Sequence, residues 1–175
     1  MIKQLLVVVL GIVAIIGIRA LFIPGSFRVE RSIIVNATPE KIFPLLNDFA
    51  QFGRWSPWEK LDPAMARQVS TPSAGPGAVY EWRGNAKAGA GRMEILQEVP
   101  SQSVRVKLDF LKPFESHNTT DYTLTPAGDA TRVTWAMYGP STFPSKVMQV
   151  FMSMDKMIGG DFDRGLAAIK TIAEQ

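Results

Sequence analysis

SKVMQVFMSMDKMIGGDFDRGLAAIKTIA, residues 145–173, runs on a different hydrophobic period from everything before it. Val147, Phe151, Met154, Ile158, Phe162, Leu166 and Ile169 recur at three- and four-residue spacing. That spacing predicts one long amphipathic helix from Ser145 to Ala173. Gly159-Gly160 lowers helix propensity in its middle and predicts a bend or a close backbone approach. If the whole stripe is buried, Phe151→Asp should be severely destabilising, because it would bury an unpaired charge.

Upstream of this segment the period is two. Val104, Val106, Leu108 and Phe110 alternate with Arg105, Lys107 and Asp109, a strand with one wet and one dry face. Tyr80 and Trp82 share a parity between Gly77 and Gly84, and Arg92 to Val99 follows a glycine-rich turn. His117 to Thr125 and Thr131 to Tyr138 form another pair across Pro126-Ala127-Gly128-Asp129, with Tyr122 and Leu124 on one side and Val133, Trp135 and Met137 likewise. Phe27 to Asn36 reads as an earlier strand. Thr38-Pro39-Glu40 then marks a helix start, and Pro44 predicts a kink or break soon after it. The expected fold is α+β: a curved antiparallel sheet whose apolar face is covered by the C-terminal helix, the one element long enough to do so.

The N-terminus has a separate logic. From Leu5 to Ile18 no side chain is polar, and after Arg19 the apolar run resumes as far as Ile23. As a helix, Leu5 to Ile23 would measure about 28 Å, close to the hydrocarbon thickness of a bilayer. Arg19 lies near the end, where a long side chain can reach the headgroups. A retained single-pass anchor over residues 1–25 and a domain over residues 26–175 is the expected organisation. The alternative is a cleaved signal peptide, against which no A-x-A-like site follows the run. Basic residues flank both ends, so the side of the membrane is open.

Composition removes several function classes. There is no cysteine, which excludes disulfides and thiolate chemistry. Lys3 and Arg19 apart, basic residues nearly balance the 16 acidic ones, so no electrostatic footprint for nucleic acid is present. His117 is the one histidine and is expected to be an ordinary hydrogen-bonded strand residue. Asp155, Asp161 and Asp163 do not stack on one helix face and read as solvated charges. Glu81 and Glu94 are expected to pair with Arg83 or Arg92 across strands. No metal, cofactor or catalytic pair is expected.

Particular strings resemble a known superfamily. They are Phe27 to Asn36 followed by Thr38-Pro39-Glu40-Lys41-Ile42-Phe43, then Trp55-Ser56-Pro57-Trp58, Tyr80-Glu81-Trp82 with Gly84-Asn85, Gly89-Ala90-Gly91, Pro113-Phe114 and Thr131 to Trp135. Together they are similar to the START-like or SRPBCC superfamily, also called polyketide cyclase/dehydrase-like or Bet v 1-like. The resemblance implies a helix-grip fold with a cavity for hydrophobic ligands between sheet and helix, and it implies no single activity.

The residues themselves mark where such a cavity would lie. Tyr80, Trp82, Phe110, Tyr122, Trp135 and Met137 share the inward parity, and Met154 faces them from the helix; Trp55 and Trp58 are expected at the rim. The expected function is a membrane-tethered binding or transfer module for a hydrophobic small molecule of the lipid, quinone or isoprenoid class. The alternatives are a polyketide cyclase or aromatase-like enzyme, favoured by polar groups inside the cavity, and a chaperone-like interaction module with a solid interior.

Overall fold

The alternation at Val104–Phe110 builds the middle of a seven-stranded antiparallel sheet, seen in a computed structural model that describes residues 2–175. The strands are β1 (Ser26–Val35), β2 (Ala66–Val69), β3 (Val79–Arg83), β4 (Ala90–Val99), β5 (Ser103–Lys112), β6 (Ser116–Ala127) and β7 (Ala130–Pro140), and their spatial order is β1-β7-β6-β5-β4-β3-β2. Short hairpins therefore join β3 through β7 in sequence, while β1 closes the far edge against β7, with Val29 opposite Met137 and Arg31 opposite Trp135. The register shifts in β4 between Ala90 and Gly91 and between Ile95 and Gln97. Irregularities of this kind bend a sheet and increase its twist.

Five helices complete the chain: α1 (Ile2–Leu21), α2 (Pro39–Asn47), α3 (Phe49–Trp55), α4 (Phe143–Gln149) and α5 (Met154–Ala173). Pro44 does not break α2, which runs on to Asn47. Only one turn precedes Pro44, so the proline removes a single helical hydrogen bond. The break comes at Asp48, whose side chain accepts a hydrogen bond from the Ala50 amide and starts α3.

The expected single helix over residues 145–173 is in fact two. Ser153 adopts an extended conformation and its hydroxyl accepts from the Lys156 amide, so α5 begins afresh at Met154. Val150 to Ser153 form a turn, and Phe151 is 71% exposed there. The hydrophobic spacing continues across that turn, but the hydroxyl cap inside it sets the boundary. The expectation for Phe151→Asp is corrected accordingly. Its effect on folding stability should stay within about 0.5 kcal/mol in a urea titration, as for other exposed positions.

The second half of the stripe behaves as expected. Phe162, Leu166 and Ile169 are fully buried on the sheet, and Phe162 stacks on Trp135 with ring centroids 4.2 Å apart and planes 4° from parallel. At Gly159 the helix runs on unbroken, and the close approach is made by a side chain and not by backbone. A Cβ there would collide with the Arg31 guanidinium, which crosses from β1 to bond both carboxylate oxygens of Asp155 at 2.7 and 2.9 Å. Gly165 likewise leaves room for the Trp135 ring, 2.7 Å from where its Cβ would sit.

Candidate ligand cavity

Inward parity on β3 to β7, the α5 stripe and the loop after α3 converge on a cavity of about 290 Å³. Tyr80, Trp82, Phe110, Tyr122, Trp135 and Met137 all line it, as their shared parity predicts. Trp58 stands at it as well, edge-on to Trp135 and Phe162. Two expectations need correction. Trp55 is core rather than rim: it is buried, its indole N–H donates to the Leu45 carbonyl at 2.7 Å, and its ring meets Tyr122 and Trp135 edge-on. Met154 lines a second cavity of about 280 Å³, separated from the first by Phe110, Met137 and Ile158, which belong to both.

The mouth of the first cavity lies between the loop carrying Leu61 and the β3–β4 hairpin carrying Lys87, both exposed. Asp62 holds these two segments together, since its carboxylate accepts from the Ala64 amide at 3.0 Å and the Asn85 amide at 2.7 Å. Trp82 is fixed at the same place by its indole N–H, which donates to the Ala88 carbonyl at 3.0 Å.

Four polar side chains that sequence parity alone did not select also line the wall: Glu59, Thr120, Asp161 and Lys87. Thr120 could have been found, because it shares the parity of Tyr122 on β6 and lies opposite Met137. Glu59 sits in the 3-10 turn Pro57–Lys60, where no period exists to be read. Its carboxylate accepts from the Tyr80 hydroxyl on one oxygen and from the Arg67 guanidinium on the other, and Arg67 also donates to the Glu59 carbonyl at 2.9 Å. Asp161 is paired with Arg164. Both carboxylates are thus held in place by side-chain partners.

Outside the cavity, His117 Nδ1 lies 2.7 Å from Asp109, opposite it on β5, and Lys107 reaches the same carboxylate at 2.8 Å. Burial opposes ionisation of Asp109, but the bonds from Lys107 and His117 outweigh it and hold its carboxyl below the usual range. Arg92 pairs with Glu81 across β3 and β4, as expected, whereas its pair with Glu94 runs along β4 itself, two residues on, and not across strands.

The phenols are strongly perturbed. Burial raises the pKa of Tyr122 well above its ordinary value, and no side-chain hydrogen bond contributes. Burial first, then the bond to Glu59, does the same for Tyr80; burial and Asp121 raise Tyr138. A tyrosine in the unfolded chain ionises near pH 10.0, whereas the folded protein keeps all three protonated beyond it. Stability should therefore fall as pH rises above that value, because ionisation favours the unfolded state. Near-ultraviolet titration at pH 10 should show less tyrosinate in the native protein than in the urea-unfolded chain.

A family model described as "Polyketide cyclase / dehydrase and lipid transport" matches residues 26–174. The chain belongs to this family. Solved structures similar to this polyketide cyclase/lipid transport member agree with it in fold. Protein CV1439 from Chromobacterium violaceum is 17% identical with a TM-score of 0.57, covering 87% of this chain and 99% of its own. The Aha1 dimer from Colwellia psychrerythraea has 17% identity and a TM-score of 0.57, with 85% and 96% covered. Ara h 8.0201 has 16% identity and a TM-score of 0.57, with 85% and 98% covered. At such identities the likeness concerns the helix-grip fold alone. Comparison with curated proteins finds no match. Membership supports binding of a hydrophobic ligand at the level of the family.

Proposed function

We propose that the protein is a membrane-tethered module that binds or transfers one hydrophobic small molecule of the lipid, quinone or isoprenoid class. The observation that carries this reading is the first cavity, whose lining is mainly aromatic, methionine and leucine side chains around a few fixed polar groups. Such a surface gives apolar burial for the body of a ligand, while a phenol such as Tyr122 can orient a polar end. Glu59 and Asp161 are each already engaged, by Tyr80 and Arg67 and by Arg164, which supports a role in shaping the wall of a binding cavity.

The tether is the second part of the proposal. Helix α1 is apolar from Leu5 to Ile18 and almost wholly exposed, so it has no core of its own to occupy. Residues 1–25 then serve as a single-pass anchor and residues 26–175 as the binding domain. A water-insoluble ligand is concentrated in the bilayer beside such a domain.

The test is a titration of the full chain in detergent with cis-parinaric acid. Trp58, Trp82 and Trp135 line the cavity and should pass excitation energy to a bound polyene. Saturable transfer at one probe per chain is the expected result. A signal that rises linearly, as for partition into detergent alone, would contradict the reading.

A further inference from the structure

We propose that the end of the domain carrying the second cavity rests on the bilayer that α1 crosses, and that apolar ligand enters from the acyl-chain region through that cavity. The proposal depends on the tethered-module reading and adds the docking face and the route.

The connection from the anchor is short. Helix α1 ends at Leu21 and β1 starts at Ser26, so even a fully extended link spans only about 18 Å. The link is also tied down, because the Gly25 carbonyl accepts from the Ser141 amide at 2.9 Å and Ser26 pairs with Pro140. Helix α4 begins two residues beyond that bond and packs beside α1. Along α1 the covered positions are Ile16, Gly17 and Ala20, the rest being exposed. If α1 spans the bilayer from Leu5 to Ile23, α4 lies level with its last turns and so at the membrane interface.

Antiparallel order brings other groups to the same end. The end of β7, the start of β6 and the β5–β6 turn with Phe114 are neighbours there. Phe114, Phe143, Phe151 and Met152 are all exposed, together with Leu21 and Phe22 of the anchor. Such a set of large apolar side chains around one end of a domain marks an interaction surface. Lys112 and Lys146 stand among them, suited to anionic headgroups.

The second cavity sits under this rim, lined by Phe27, Phe114, Met148, Met154 and Met157. Phe110, Met137 and Ile158 divide it from the first cavity, and Met137, unbranched with three rotatable bonds, is the adaptable one of the three.

The chain has no cysteine, so single-cysteine probes can be placed without background. Leu10→Cys, Val99→Cys, Phe114→Cys and Phe151→Cys would each be labelled with bimane in the full chain. Each is reconstituted into phosphatidylcholine/phosphatidylglycerol vesicles containing a shallow spin-labelled lipid. Quenching at residues 10, 114 and 151 but not at 99, on the opposite strand ends, is expected. Quenching at 10 with 114 and 151 as unquenched as 99 would overturn the proposal while leaving the anchor in place, and would leave this face for a protein partner. No quenching at 10 would overturn the tethered-module reading itself, and the docking face with it. Loading supplies the second arm, with cis-parinaric acid delivered from the same vesicles. Phe143→Asp combined with Phe151→Asp, both on the exposed face and outside the two cavity linings, should slow uptake by about tenfold or more, the loss expected when phenylalanine burial is removed. Affinity for probe added from detergent solution should be unchanged. Equal loading rates for the variant and the parent would overturn the route.

Discussion

Phe162→Ala should cost about 3–5 kcal/mol of folding stability, the range for deleting a fully buried aromatic side chain. The ring is 0% exposed and lies flat on Trp135, with Trp58 meeting it edge-on at 6.1 Å. Removing it takes away the stacked contact and opens a void that Gly165 and the Trp135 ring, already in close approach, can fill only by moving the helix. Urea denaturation in detergent, followed by tryptophan fluorescence, measures the change. A loss below about 1 kcal/mol would mean that α5 is not clamped to the sheet by this residue.

Thr120→Trp should weaken apolar-probe binding by about 100-fold, or about 2.7 kcal/mol, while leaving the domain folded. Thr120 is buried, stands opposite Met137 and lines the first cavity, so an indole at this position would occupy the space meant for ligand. A side chain growing into a void avoids most of the strain of overpacking a filled core. The matched control is His117→Ala, on the other face of the sheet with Asp109, which should leave binding as it was. Circular dichroism on both variants separates lost binding from lost fold. Unchanged affinity in a folded Thr120→Trp protein would place the ligand elsewhere.

How much of this was legible in the sequence depends on the element. The shared parity of Tyr80 and Trp82 on β3, strict alternation on β5 and the paired parities of β6 and β7 mark the sheet and its six inward side chains at the first cavity, because parity in a strand fixes the face. Elsewhere local pattern is not enough. A helical stripe gives a face and no position along it, so it does not distinguish Met154, at the second cavity alone, from Ile158, one turn later, the α5 residue that reaches both. Phe151 kept the right spacing across a helix boundary set by the Ser153 cap, and so was read as buried. Trp55 and Trp58 sit three residues apart in a segment without a dominant period. Only the folded chain shows that the first points into the core and the second into the cavity. The Glu59–Tyr80–Arg67 cross-link joins a turn, a strand and an edge strand, a long-range match that no local pattern encodes.

If the helix-grip cavity holds one apolar molecule drawn from the membrane, native mass spectrometry of the full chain, purified from membranes in mild detergent, should reveal it. The spectrum should show a discrete adduct of one small apolar molecule per chain, recoverable by organic extraction and absent from the Thr120→Trp protein. A spectrum showing only the unliganded chain, or a spread of detergent and bulk lipid that Thr120→Trp leaves unaltered, would contradict it.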